Sequence, residues 1–205
     1  MVEEQLCRRG IHDERLLDAM RRVRRHEFIS AEQYQQAYAD HPVVIAEQQT
    51  TSQPYIIAAM VQAVEVQPRD RVLEVGAGSG YQTALLAELA AQVVAVERYS
   101  SLAETAQARL QKLGYRNVVV VAGDGTLGWD PAAPYDAIIV SAAAPRVPPA
   151  LLEQLAAGGR LVIPIGDAHA QVLQLFRKNP DGPVSRTMLE GCRFVPLIGR
   201  YGFAA

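Results

Sequence analysis

The sequence is poor in cysteine. Its two, Cys7 and Cys192, lie far apart and in no CxxC spacing, which argues against a disulfide framework or a zinc site built on paired thiols. Two reduced thiols in a cytoplasmic protein are expected instead. There is no run of about 18 apolar residues, so no membrane span is expected. The opening segment MVEEQLCRRG is charged and lacks the apolar stretch of a secretory signal. Neither sign of charge dominates: 20 Lys and Arg against 22 Asp and Glu leave a net −2. A field that gathers phosphates is therefore missing, and nucleic acid is not an expected partner. Repeats and low-complexity linkers are missing too. What remains is apolar: 49% of the 205 residues are hydrophobic, which suits a packed domain and excludes disorder.

One domain is expected over 1–205, with a change of rhythm near residue 69. The part over 1–68 reads as helical. His12 to Arg25 carries Leu16, Leu17, Met20 and Val23 at helical spacing. Asp13 and Glu14 stand at its start, and Arg21, Arg22, Arg24 and Arg25 crowd its end as the helix dipole favours. That arginine run reads as a solvated helix terminus. Pro54 to Val66 reads as a second helix, with Pro54 in its first turn.

The part over 69–205 alternates. Strands are expected at Arg71–Val75, Gln92–Val96, Asn117–Val121, Tyr135–Val140 and Arg160–Ile165. Helices lie between them at Tyr81–Ala90, Ser101–Leu113 and Pro149–Leu155. Nearly all-apolar strands need a sheet covered on both faces. Alternation of strand and helix then gives a doubly wound, mostly parallel α/β fold with an N-terminal helical extension. Val172–Phe176 and Phe194–Ile198 are expected as antiparallel edge strands.

The densest chemistry is VLEVGAGSGYQTALLAEL, residues 72–89. A strand runs into Gly76-Ala77-Gly78-Ser79-Gly80 and a helix follows. Glycine permits positive φ and close approach of a ligand to the backbone. The dinucleotide fingerprint G-x-G-x-x-G would need glycine where Tyr81 stands. A P-loop would need GK[ST], which does not follow. A tight glycine turn after a strand carrying Glu74 suits a nucleoside ligand without phosphate, such as S-adenosylmethionine. Glu97, ending the second strand, can accept both ribose hydroxyls. Asp124, between Gly123 and Gly125, can face an adenine amino group. Each acid alone is more often a loop residue or a cap. Together they mark three successive strand ends, the rim where open α/β sheets bind ligands.

These motifs resemble the protein-L-isoaspartate (D-aspartate) O-methyltransferase family. The resemblance runs through VEEQLCRRGI, QTTSQPYIIAAM (49–60), VLEVGAGSGYQTALLA (72–87), VERYSSL (96–102), GDGTLGW (123–129), APYDAIIVSAAAP (133–145), LLEQLAAGGRLVIPIG (151–166) and RFVPLIG (193–199). The TTSQP element, GDGTLGW and the RFVPL tail are its most specific parts. It implies a class I, Rossmann-like methyltransferase. Such an enzyme passes a methyl group from S-adenosylmethionine, leaving S-adenosylhomocysteine, to the free α-carboxylate of an isoaspartyl or D-aspartyl residue in a damaged protein or peptide. The ester then closes to a succinimide. A tailoring methyltransferase that installs a succinimide in a peptide natural product is the alternative.

The resemblance further implies Ser52 as the catalytic residue, a role compatible with a cap for the helix at Pro54. It implies cofactor contacts from Gly76, Gly78, Ser79, Gly80, Glu97, Asp124 and Gly125. Thr51, Ser52, Ala142, Ala143 and Pro145 are implied beside the substrate. A monomer without a metal is expected, since His12, His26, His41 and His169 are scattered. Gln48 stands where the family usually has glycine, and Thr51 where it usually has isoleucine. Tyr81 and Trp129 are expected to pack.

Overall fold

Short runs of valine, isoleucine and leucine form the centre of the sheet in the computed structural model, which describes residues 1–204. The elements in chain order are α1 (Glu14–Arg22), β1 (Val43–Val44), β2 (Thr50–Thr51), α2 (Pro54–Ala63), β3 (Arg71–Val75), α3 (Tyr81–Leu89) and β4 (Gln92–Glu97). They continue with α4 (Ser100–Lys112), β5 (Val118–Ala122), β6 (Tyr135–Val140), α5 (Pro149–Glu153), β7 (Leu155–Gly166), β8 (Gln171–Lys178) and β9 (Val184–Cys192). β1 and β2 make a small antiparallel ribbon. The main sheet has the order β5-β4-β3-β6-β7-β8-β9. Its first five strands are parallel and β8 and β9 antiparallel.

Alternate residues of each central strand enter different cores. Val72, Val93, Ala137, Ile139 and Val162 join the core formed with α1, α2 and α3. Leu73, Val75, Val94, Val96, Ile138, Val140, Leu161 and Ile163 join the second core, with Leu151 of α5. Both faces are therefore dry, which is why the strands read as continuous apolar runs. β3 lies between β4 and β6, so the chain winds outward in both directions from it, and a crevice opens at the strand C-termini there.

The helical extension shares the first core. The Asp13 side chain caps α1 by accepting from the backbone N–H groups of Arg15 and Leu16. Arg15 reaches the Val66 and Leu89 carbonyls at 2.9 and 2.7 Å, and Gln62 accepts from the backbone N–H of His12 and Asp13.

Two expectations are corrected. α1 stops at Arg22, and Arg25 is not part of a solvated terminus but fully buried. The intervening Val23 turns extended, which ends the helix before Arg25. Phe194–Ile198 is not an antiparallel edge strand. It makes parallel bridges from Pro196 to Ala143 and from Ile198 to Phe203, and Pro196 has no N–H to donate to a ladder. The edge is β9 instead, exposed along most of VSRTMLEGC, with Val184, Met188 and Leu189 open to solvent, so no buried face marks it in the sequence.

Candidate active site

The glycine turn leaves β3 at the centre of the sheet. Gly78 has φ +53, and this left-handed turn aims its N–H at Glu97 Oε2, 2.9 Å away. Gly80 has φ +86 and caps α3. A Cβ there would meet Ala106 of α4 at 3.3 Å, so Gly80 serves the packing of α3 on α4. The helix begins at Tyr81, whose side chain is buried in the first core. The turn is thus one residue shorter than a dinucleotide loop.

Glu97, 6% exposed, ends β4. Its Oε1 accepts from the Tyr99 N–H at 3.0 Å, and its Oε2 from Gly78. A carboxylate has about four lone-pair positions, so two remain for a ligand. A cleft of about 410 Å³ opens beside it, within the roughly 300–1,000 Å³ range of small-molecule sites. It is lined by Gly76, Gly78, Glu97, Gly125 and Ala142, with apolar walls from Val75, Val96, Leu197 and Ile198.

Asp124 does not line this cleft. Its Oδ1 accepts from the Thr126 N–H and hydroxyl, and its Oδ2 from the Arg200 N–H at 2.8 Å. Partial burial pushes its carboxyl up, but these hydrogen bonds and the charge of Arg98 hold it below the usual carboxylate range. In this structure Asp124 fastens the C-terminal turn, while Gly125 beside it meets the cleft.

Ser52 does not cap α2. Gln53 holds the cap position and no side chain bonds the helix N-terminus from there. Instead Ser52 lines a cavity of about 170 Å³ with Arg9, Tyr55, Glu190, Cys192 and Phe194. Thr50 and Ser141 line both this cavity and the larger cleft, so the two spaces meet. Between them a small recess is lined by Thr51, Ser52, Glu74, Gly76, Ser79 and Gln82. The loop after β6 is fixed by the tail: the Ala143 N–H donates to Val195 and the Leu197 N–H to Ala143, at 2.8 and 2.7 Å. Ala143 is buried and Pro145 exposed, and neither lines these cavities.

Sequence reasoning missed Thr50, Gln82, Ser141 and the cleft wall formed by Leu197 and Ile198. Ser141 had the same signal as Glu97, a polar residue just beyond the C-terminus of a parallel strand. It accepts from Gln82 Nε2 at 2.9 Å, and Gln82 also donates to Glu74 at 3.0 Å. Glu47 and Gln48, on the rim of the cleft, both hold left-handed backbone with φ 57 and 56. A glycine would adopt this freely, whereas a side chain there costs ~1 kcal/mol.

Glu74 is fully buried beneath the turn, and burial pushes its carboxyl up to about 8 against the bonds from Thr83 and Gln82. The folded protein then keeps a proton that the unfolded chain, with a value near 4.5, releases. Stability should be greatest below that value, fall as pH rises to about 8, and level off above. Glu74→Gln should remove the slope. Urea unfolding is expected to show the variant gaining on the parent by a few kcal/mol between about pH 5 and about pH 8. A parallel pH dependence in both proteins would contradict this.

A doubly wound sheet with a glycine turn after its central strand, and an acid at the end of the next, is the arrangement of a class I S-adenosylmethionine-dependent methyltransferase. The family model for protein-L-isoaspartate(D-aspartate) O-methyltransferase matches residues 1–202, and the chain belongs to that family. It is 53% identical over 203 residues to protein-L-isoaspartate O-methyltransferase 1 of Syntrophobacter fumaroxidans, covering 99% of this chain and 94% of the relative. It is 52% identical to the Koribacter versatilis protein-L-isoaspartate O-methyltransferase, covering all of this chain and 91% of that one. A solved protein-L-isoaspartate O-methyltransferase superposes with a TM-score of 0.88 at 30% identity, covering 98% of this chain and 67% of the other. A Plasmodium falciparum structure described as an enzyme of this kind, in complex with S-adenosyl-L-homocysteine, superposes with a TM-score of 0.82 at 27% identity, over 96% of each chain.

Proposed function

We propose that this protein uses S-adenosylmethionine to methylate the free α-carboxyl of L-isoaspartyl and D-aspartyl residues in damaged proteins and peptides, which starts their repair through a succinimide. The observation that carries this reading is the meeting of two spaces. The cavity beside Ser52 and the cleft beside Glu97 share Thr50 and Ser141 as a common wall. The relatives that match the whole chain bear the isoaspartate name, and the tailoring alternative is not favoured.

The residues present fit the cofactor. Glu97 keeps two acceptor positions for the ribose hydroxyls. Val75, Val96, Leu197 and Ile198 offer apolar walls to a purine. Gly76, Gly78 and Gly125 allow close approach along the cleft, and Ser79 lines the recess toward Ser52. When bound, the cofactor supplies an electrophilic methyl group on a sulfonium.

An α-carboxyl ionises near pH 3.5, so the acceptor is already an anion at neutral pH and needs no general base. Catalysis then rests on placement. The Ser52 hydroxyl donates to the acceptor carboxylate and turns one oxygen toward the cleft. Ala142 lines the cleft and Thr51 the recess beside Ser52. Burial pushes the Cys192 thiol up to about 11, so it stays protonated and does not compete as a nucleophile. The enzyme works as a cytoplasmic monomer on proteins and peptides and not on nucleic acid. Its net charge of −2 and its two free thiols support that setting.

The test is methyl transfer from labelled cofactor to two synthetic peptides that differ only in aspartyl or isoaspartyl linkage. Labelling of the isoaspartyl peptide alone is expected, and equal labelling of both would overturn the assigned substrate.

A further inference from the structure

Arg25 is the largest fully buried side chain of the protein, with no exposed surface. It belongs to the short turn Arg25–Phe28, behind the loop that carries Ser52. Its Nη2 donates to the Ser52 carbonyl at 3.0 Å. Its Nε and Nη1 have no hydrogen-bond partner among the described residues, and neither does the buried Tyr81 hydroxyl. The guanidinium lies 5.6 Å from the centre of the Tyr81 ring, which Phe28 meets edge-on at 5.6 Å. Among the described residues it forms no ion pair. Arginine does not lose its proton in a protein, so a positive charge is buried here without a counter-charge in contact.

Such a charge is expensive to bury, and each unpaired polar atom in a folded core calls for an explanation. A buried charge with no ion-pair partner contributes little to fold stability for its desolvation cost, so its reason is sought in what it touches. The Ser52 loop supplies that reason. From the other side it is held by Asp40, which accepts from Gln53 Nε2 at 2.7 Å and from the Tyr55 N–H at 3.2 Å. Asp40 is in turn paired with Arg9. Among the described side chains Arg25 is the one that holds the Ser52 carbonyl, and its charge lies one peptide unit behind a cavity that must attract an anion. At an effective dielectric constant of about 20, a unit charge within several ångströms of a carboxylate is still worth over 1 kcal/mol.

We propose that Arg25 is a positioning residue for the acceptor: it fixes Ser52 through its carbonyl, and its charge, which no carboxylate among the described residues contacts, draws the isoaspartyl carboxylate into the cavity. This rests on the reading of Ser52 and its cavity given above. Arg25 makes no hydrogen bond to Glu97, and its link to the glycine turn runs only through the Tyr81 ring, so cofactor affinity should change far less than the peptide KM.

The experiment compares Arg25→Lys, Arg25→Gln and Arg25→Met by steady-state kinetics on an isoaspartyl peptide, with calorimetry of S-adenosylhomocysteine binding and a thermal melt for each. Gln keeps a donor for the Ser52 carbonyl and loses the charge, whereas Lys keeps both. Loss of the charge alone removes ground-state binding of the acceptor, so in Arg25→Gln the peptide KM should rise with little change in kcat, whereas Arg25→Met, which also frees the Ser52 carbonyl, should lower kcat as well. Arg25→Gln and Arg25→Met are expected to raise the peptide KM about 10-fold or more, and Arg25→Lys to recover it to within about threefold of the parent. Product affinity should change far less in all. A folded Gln variant with the parent's peptide KM overturns the proposal, as does a Lys variant no better than Gln. Equal losses of cofactor and peptide affinity would also overturn it, since they mark a merely structural role. If Arg25→Met does not fold, the Lys and Gln pair decides. A parent enzyme that fails to methylate the isoaspartyl peptide overturns the functional reading, and this assignment with it. A parent that turns over with an indifferent Arg25 overturns this assignment alone.

Discussion

Glu97→Ala is expected to weaken binding of S-adenosylmethionine by about two orders of magnitude, read by calorimetry. Two losses combine in that figure. The ribose hydroxyls lose a charged acceptor, and a hydrogen bond to a charged group contributes about 1.5–3 kcal/mol. The turn also loses its anchor, because Glu97 accepts from both the Gly78 and Tyr99 N–H groups. Their backbone donors would be left without that partner at the cleft floor. Glu97→Gln should fall between, since its amide turns an N–H toward one of those two donors. The peptide KM at saturating cofactor should stay within about twofold for either variant. An affinity equal to the parent's would reject the ribose assignment.

Ser52→Ala should act at the other end. Its kcat/KM for an isoaspartyl peptide is expected to fall about 10- to 100-fold, the worth of one hydroxyl donating to an ionised carboxylate. Cofactor affinity should not change, because Ser52 lines the acceptor cavity and the recess but not the cleft beside Glu97. Stability should change little as well, for Ser52 does not cap α2. That separates the result from a helix-capping effect, which would lower the melting temperature along with activity. Turnover equal to the parent's would remove Ser52 from the mechanism. Opposite profiles for the two variants, one in cofactor affinity and one in acceptor turnover, would mark the two halves of the site independently.

The reach of the sequence is visible residue by residue. β6 ran from Tyr135 to Val140 as expected, and β3 from Arg71 to Val75. Both are apolar on two faces and bounded by turn residues, so local pattern and tertiary burial agree there. Gly78 and Glu97 could be singled out because the ligand rim of such a sheet follows from its strand ends, and in the structure the Gly78 N–H donates to Glu97 at 2.9 Å. β9 was missed because an exposed edge strand needs no apolar face. Asp124 shows what local pattern leaves open. A carboxylate between two glycines can turn toward a ligand or toward its own backbone, and only the arrival of Arg200 from 76 residues downstream fixed which.

The order of strands and helices, the shortened glycine turn that excludes a dinucleotide, and the acid paired with it were written in the chain itself. These depend on local geometry and on periodic burial, both of which a sequence carries. Which residues close the pocket was decided only in three dimensions. The tail folds back onto Ala143, Ser141 joins two cavities, and Arg25 leaves an arginine-rich helix end to lie buried behind Ser52. Each of these is a contact between segments far apart in the chain, and its energy exists only once the sheet has brought them together.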